Sequence, residues 1–162
     1  MKFFQRPEPL PAQIRSVMES NEYLLAWSTH SSGVLAVTDK RLISAQAQVV
    51  STVLWEDSLS AKWEEPLLSL VVLHEQATQT LSWKLDEPGL VPTAVRDRVT
   101  ATIVIDRLVD VPEVGRVRFI ARRTANGVIW STVPEGSIDA QSAPIQERIR
   151  ESLRSLRSNL GI

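Results

Sequence analysis

Apolar residues alternate with polar ones over much of the first half of the chain, which is typical of β-strands with one buried face. Turn residues divide this part into six or seven short segments, so we predict an antiparallel meander. Since Leu67–Leu73 is nearly all apolar, we expect that strand to be buried on both faces. The predicted strands are Glu22–His30, Val34–Thr38, Arg41–Gln46, Val49–Trp55, Leu59–Trp63, Leu67–Leu73 and Thr80–Leu85.

The apolar pattern becomes helical in two later segments. Valine and isoleucine recur every four residues in the first, which predicts a helix over Val91–Ile105. In the second, isoleucine and leucine recur at helical spacing between a proline and a glycine, which predicts an amphipathic helix near 144–160. Between the two helices, alternation on both sides of Asn126-Gly127 predicts a β-hairpin near 116–133.

The composition of the 162 residues excludes most catalytic chemistry. Without cysteine, the chain has no disulfide, thiolate zinc site or cysteine nucleophile. The two histidines, His30 and His74, are too few for a multi-histidine metal site, and the six glycines lack the spacing of a phosphate-binding loop. We therefore predict no catalytic residue, no metal site and no cofactor.

Charge is divided unevenly along the chain. The net charge is −1, which argues against general nucleic-acid binding. Residues 1–90 carry seven Lys/Arg against eleven Asp/Glu, whereas residues 91–162 carry eleven Arg, no Lys and eight Asp/Glu. Exclusive use of Arg is expected either from a GC-rich genome or from a surface that binds carboxylates or phosphates.

The arginines of the second half are the first candidate binding residues. Three of them form one ridge on the C-terminal helix, and two others are adjacent in the hairpin. Such a set can bind anionic headgroups, phosphate or an acidic protein. It can equally be a solvated face whose long side chains cover the edge of the core. The predicted i, i+3 pairs Glu147–Arg150 and Glu151–Arg154 favour this second interpretation. The set comprises Arg122, Arg123, Arg150, Arg154 and Arg157.

Tryptophan supplies one further candidate. The chain has five tryptophans, and on the strands of a small barrel most of them are expected in the core. Trp63 lies between Lys62 and Glu64, so it is the best candidate for an exposed contact residue.

Two segments resemble a known family. Leu24–Trp27, a short turn and then Gly33–Ile43 resemble the opening of bacterial PH-like and GRAM-like domains, whose second strand ends in Thr-[Asp/Asn]-x-Arg-Leu. Here that ending is Thr38–Leu42. Val53–Asp57 resembles the family's strand that leads into an acidic segment, and Val91–Ile105 matches its terminal helix.

This resemblance, which covers about residues 20–105, implies a PH-like antiparallel β-barrel closed by a helix. With the β-hairpin and the C-terminal amphipathic helix that the apolar pattern adds, we predict an α+β fold. We predict an N-terminal lead-in (1–20), the barrel with its capping helix (21–108) and an Arg-rich extension (109–162), packed on the barrel as one unit. PH-like domains that bind phosphoinositides usually place Lys and Arg in the first turn. The corresponding turn, His30–Gly33, has no cation, which argues against a headgroup site there.

The whole chain also resembles small actinobacterial proteins of similar length. The shared elements are the Arg-x-Arg-Val-Thr-Ala sequence at Arg96–Ala101, the Arg-Arg pair of the hairpin and the C-terminal Leu-Gly-Ile. Because those proteins are largely unassigned, this likeness implies no function.

Three functions follow as hypotheses. The preferred one is a non-catalytic PH-like interaction module that binds a protein partner. The apolar face of its last helix would pack on the hairpin, on the barrel or on a second copy in a homodimer. The alternative is peripheral binding to anionic membrane lipids through the Arg-rich C-terminal part. The third is an enzyme whose polar site places His30 or His74 beside a carboxylate. With apolar runs too short for a signal peptide or a membrane span, we expect a cytoplasmic protein.

Overall fold

The computed structural model describes residues 9–74, 77–124, 127–136 and 141–162. They form an α+β structure with three antiparallel sheets and few helices. The chain divides into two compact units, Met1–Ala101 and Thr102–Ile162.

The first unit contains two sheets in which each strand pairs with its neighbour in sequence. The short helix α1 precedes them, a single 3-10 turn at Trp55–Asp57 joins them, and helix α2 follows. The elements are α1 (Ala12–Arg15), β1 (Leu24–His30), β2 (Gly33–Thr38), β3 (Arg41–Gln46), β4 (Val49–Leu54), β5 (Ser58–Glu64), β6 (Leu67–His74), β7 (Ala77–Lys84) and α2 (Val91–Ala101).

One apolar core is shared by the two sheets and α2. Every fourth residue of α2 is buried, as the sequence pattern predicts, so one helix face covers the core. The members of this core include Leu35, Val37, Leu42, Trp55, Leu68, Leu70, Val72, Trp83, Val91, Val95 and Val99.

None of the three sheets of the described residues closes into a barrel. The two sheets of the first unit instead meet at one isolated bridge, between His30 at the end of β1 and Leu85 just after β7. Two backbone hydrogen bonds flank this bridge, from Ser31 N–H to the Lys84 carbonyl (3.3 Å) and from Asp86 N–H to the Thr29 carbonyl (3.0 Å).

The prediction that Leu67–Leu73 is buried on both faces is wrong. In β6, Leu68 and Leu70 are buried, whereas Leu67 and Leu73 are exposed. The reason is that only one face of this sheet packs on the core, and apolar residues are common on protein surfaces. Strands β2 and β3 have the consecutive buried residues instead, because Ile14 of α1 packs on the second face of their sheet.

The second unit is a three-stranded sheet with one helix. The strand order is β10-β9-β8, and β9 and β10 form the predicted hairpin. Asn126 of the predicted turn lies outside the described residues, while Gly127 has a φ of 117°. The elements are β8 (Ile103–Val111), β9 (Gly115–Thr124), β10 (Gly127–Pro134) and α3 (Ala143–Leu160).

Strand β8 replaces the end of a predicted helix. The sequence pattern extends that helix to Ile105, but α2 ends at Ala101 and Ile103 begins β8. The run of β-branched residues from Thr102 explains the change, since such side chains lose rotamer freedom in a helix and suit a strand. Residues 102–108, which are predicted to belong to the barrel and its capping helix, lie in the second compact unit.

The apolar face of α3 packs on the sheet of its own unit. Ile149 is buried against Val117 and Phe119, so the hairpin supplies the partner that the sequence left open. The helix ends at Gly161, whose φ of 72° lets the Ile162 N–H reach the Arg157 carbonyl at 3.1 Å. None of the described helices has the length and apolar character of a membrane span.

Candidate functional site

Two side chains of the Thr38–Leu42 segment, which carries the family resemblance, bind the carboxylate of Glu22. Arg41 donates from Nε to Glu22 Oε1 at 3.0 Å and from Nη2 to Glu22 Oε2 at 2.9 Å. The Thr38 hydroxyl donates to the same carboxylate at 2.6 Å, and the Glu22 side chain is fully buried. The pKa of Glu22 is lowered from 4.5 to about 2, mainly by the hydrogen bonds from Arg41; burial opposes this shift, and the hydrogen bonds from Thr38 and the Glu19 N–H add to it.

The neighbours of this ion pair are also engaged within the fold. Asp39 Oδ1 accepts a hydrogen bond from the Tyr23 N–H at 2.7 Å, and the indole of Trp55 donates to the Thr38 carbonyl at 2.9 Å. Arg41 also donates to the carbonyl of Val17 at 2.7 Å. These residues hold the β2–β3 turn to the segment before β1, so their polar groups are already engaged within the fold.

A groove between β5 and α2 contains the predicted contact residue Trp63. Its volume is about 310 Å³. Trp63 is half-buried rather than fully exposed, and Leu68 is buried beside it, so the groove has an apolar wall. We call this the β5–α2 groove; it is lined by Ala61, Lys62, Trp63, Leu68, Pro92, Thr93 and Arg96.

The rim of the β5–α2 groove is basic, although the first half of the chain is acidic. Lys62 and Arg96 are both exposed. Lys62 pairs with Glu64 at 2.8 Å on a solvated surface, where such a pair is easily exchanged for another. Arg96 makes no ion pair with any residue that the structure describes.

A second cavity, the inter-sheet cleft, lies between the two sheets of the first unit and has a volume of about 230 Å³. It contains His74 together with Asp57, the combination of imidazole and carboxylate that the enzyme hypothesis requires. Burial raises the pKa of Asp57, the charge of Glu56 raises it further, and His74 opposes both. The lining residues are Leu42, Ser44, Ser51, Thr52, Val53, Asp57, Val72, Leu73, His74, Gln79, Leu81 and Trp83.

His30, the other histidine, is enclosed by the fold. It is buried at the end of β1, and its Nδ1 accepts a hydrogen bond from the Ser32 N–H at 3.3 Å. Burial lowers its pKa, and the nearby charge of Asp86 only partly opposes this. His30 is therefore a buried side chain at the joint between the two sheets, and its Nε2 has no hydrogen-bond partner among the described residues.

The predicted arginine ridge is present on α3. Arg150, Arg154 and Arg157 are all exposed and line a shallow groove of about 360 Å³ with Leu153 and Ile162. Arg150 forms the expected i, i+3 ion pair with Glu147, one turn earlier on the helix. This pair partly neutralises the charge that Arg150 would offer to a ligand. Arg154 and Arg157 make no ion pair with the residues described, so the predicted Glu151–Arg154 pair is not formed.

The two hairpin arginines differ in exposure. Arg122 is 3% exposed and donates from Nη1 to the Thr102 hydroxyl at 2.7 Å, while Arg123 is exposed. Burial lowers the pKa of Arg122, although the charge of Asp106 opposes this. Arg122 therefore contributes nothing to an exposed cationic surface, because alternate residues of a strand point to opposite faces.

Trp63 and the arginine ridge are predicted from the sequence, whereas the two cavities are not. The groove depends on Pro92 and Arg96, and the cleft on Asp57, Gln79 and their neighbours, which only the packing of sheets and helix brings together. The one local signal for the groove is a tryptophan between charged residues. Comparison with protein-family models, with curated proteins and with solved structures finds no match to the chain.

Proposed function

We propose that this chain is a non-catalytic PH-like interaction module and that it binds an extended segment of a protein partner in the β5–α2 groove. The architecture of the first unit supports the PH-like interpretation. Seven antiparallel strands in two sheets are followed by one helix that packs on the core they share, and the resemblance likewise implies strands followed by a closing helix.

The position of β5 is the observation that carries the proposal. Its sheet has the order β5-β6-β7, so β5 is an edge strand with the groove beside it. An edge strand offers backbone donors and acceptors to an added strand, and a neighbouring pocket supplies side-chain specificity. Trp63 is half-buried there, which suits an aromatic anchor at the centre of an interface.

The basic rim indicates which segment fits. Arg96 can form a bidentate pair with a carboxylate of the partner, and Lys62 can exchange its solvated partner Glu64 for another. We expect an extended segment with one apolar side chain against Trp63 and an acidic residue near Arg96.

The test is co-purification of the tagged full chain from its native host, followed by identification of the bound proteins. Trp63→Ala and Arg96→Glu should each lose the partner, whereas Arg154→Glu on α3 should retain it. Circular dichroism and urea denaturation establish that the variants fold. The proposal fails if no partner co-purifies reproducibly, or if folded Trp63→Ala and Arg96→Glu both retain it.

A second candidate is peripheral binding to anionic membranes through α3. The exposed Arg154 and Arg157 beside Leu153 and Ile162 favour it, because cations next to apolar residues suit a lipid surface. Sedimentation with anionic vesicles should then pellet the protein, and Arg150/Arg154/Arg157→Glu should abolish pelleting. Equal pelleting of this variant would exclude the candidate, and Arg96→Glu is the control outside the ridge.

A further inference from the structure

The inter-sheet cleft has a rigid apolar floor. Leu42 and Val72 are buried beneath it, and Trp83 is held across the two sheets by a hydrogen bond from its indole to the Ser44 hydroxyl at 3.2 Å. These side chains belong to the core of the first unit, so the floor is formed before any ligand arrives. The cleft shares no lining residue with the β5–α2 groove.

Asp57 is the charged group of the cleft. It belongs to the 3-10 turn between β4 and β5 and is half-buried. None of the described residues donates a hydrogen bond to its carboxylate. Adjacent Glu56 adds a like charge, and His74 at the rim provides the opposing interaction. A carboxylate in this position has lost part of its hydration and gained little in return, so a cationic group would stabilise it.

The remaining polar groups are uncharged and lie at the rim. Ser51 and Gln79 are exposed there, from β4 and β7 respectively. Among the described residues, no Lys or Arg lines the cleft, so phosphate and carboxylate ligands find neither of these cations in its described walls. The volume of about 230 Å³ corresponds to roughly eight water molecules, which limits a ligand to one ring and a short chain.

We propose that the inter-sheet cleft binds a small organic cation, a protonated amine attached to a compact apolar group. The ammonium pairs with Asp57, and the apolar group lies on Leu42, Val72 and Trp83. The ligand class and the location both differ from those of the protein segment proposed above, so failure of either proposal leaves the other in place.

Three probes of one shape test the charge preference: phenethylamine, phenethyl alcohol and hydrocinnamate. The full chain is titrated with each at neutral pH, and binding is followed by the amide and indole cross-peaks of a nitrogen–proton correlation spectrum. Phenethylamine should have a Kd at least about fivefold lower than that of the alcohol, because one partly desolvated ion pair accounts for a difference of this size. Hydrocinnamate should bind more weakly than either. The indole signal of Trp83 and the amides of Ser51 and Gln79 should shift.

Variants separate the charge of Asp57 from the shape of the cleft. Asp57→Asn should remove the amine preference and leave binding of the alcohol, and Gln79→Lys should weaken the amine in the same way. Glu64→Gln, an exposed carboxylate outside the cleft, should leave the preference unchanged. The proposal is overturned by equal Kd values for amine and alcohol, by no binding up to tens of millimolar, by shifts confined to other surfaces, or by an unchanged preference in Gln79→Lys or Asp57→Asn.

Discussion

Arg41 should be among the most important single charged residues for the stability of the first unit. Its guanidinium makes two hydrogen bonds to a fully buried carboxylate, that of Glu22. Removing one member of such a pair leaves the other charge buried without compensation, which costs about 3–5 kcal/mol. The pKa of Glu22 is consistent with this magnitude, and the hydrogen bonds from Arg41 are the largest of the several causes that lower it. Its decrease from 4.5 to about 2 corresponds to about 3 kcal/mol of preference for the ionised form in the folded state. We therefore expect Arg41→Ala to lower the free energy of unfolding by about 3 kcal/mol.

Urea denaturation followed by tryptophan fluorescence measures this loss, and Lys40→Ala is the matched control. Lys40 lies next to Arg41 and pairs with Glu19 at 2.6 Å, but both side chains of this pair are partly exposed. An exposed pair is worth at most about 1 kcal/mol, so the control should lose little stability. A loss in Arg41→Ala no larger than that in Lys40→Ala would refute the reasoning.

The same ion pair predicts a pH dependence. Because the pKa of Glu22 is lower in the folded state, its stabilising contribution is complete above pH 4.5 and is lost as the pH falls toward about 2. The free energy of unfolding of the wild type minus that of Glu22→Gln should therefore shrink by about 3 kcal/mol between about pH 5 and about pH 2. A difference that stays constant over this range would contradict the pKa of about 2 for Glu22.

Three further predictions concern packing and backbone geometry. A Cβ on Gly33 would lie 1.8 Å from the carbonyl oxygen of Ala45, so Gly33→Ala should cost about 3 kcal/mol in urea denaturation or prevent folding; wild-type stability would contradict this contact. Phe119 is fully buried under α3, and Phe119→Ala should cost about 3–5 kcal/mol, whereas a loss below about 1 kcal/mol would mean that α3 does not pack there. Gly161 has a φ of 72°, so Gly161→Ala should cost about 1 kcal/mol in thermal unfolding, and no change would indicate a frayed helix end.

The strands of the first unit could be predicted because apolar and polar residues alternate along most of them with a period of two. Arg41–Gln46 is observed with the predicted bounds, and the other strand bounds differ by a few residues at most. Strand β8 was missed for a physical reason. Its first apolar residues continue the four-residue spacing of α2, and one window cannot distinguish a helix end from the β-branched start of a strand.

Exposure was harder to predict than secondary structure. Arg122 and Arg123 are identical and adjacent, yet the first is buried and the second exposed. The sequence does not say which face of a three-stranded sheet will be covered, since both faces of β9 carry arginine. The two cavities cannot be predicted from the sequence for a related reason. Their walls come from residues that are distant in the sequence, such as Leu42 and Trp83 in the cleft.

The residues that carry the family resemblance stabilise the fold, and they give no information about a ligand. Thr38 and Arg41 both donate hydrogen bonds to the Glu22 carboxylate. A chain can therefore keep this signature while its binding surface changes completely. Trp63 in the groove and Asp57 in the cleft differ from these residues, because neither side chain is fully buried and both are accessible to a ligand. Substitution of Arg41 should therefore change stability, whereas substitution of Trp63 or Asp57 should change binding with a smaller effect on folding. Stability and ligand choice are thus set by different residues of the same unit, and a shared signature alone cannot transfer a ligand from one chain to another.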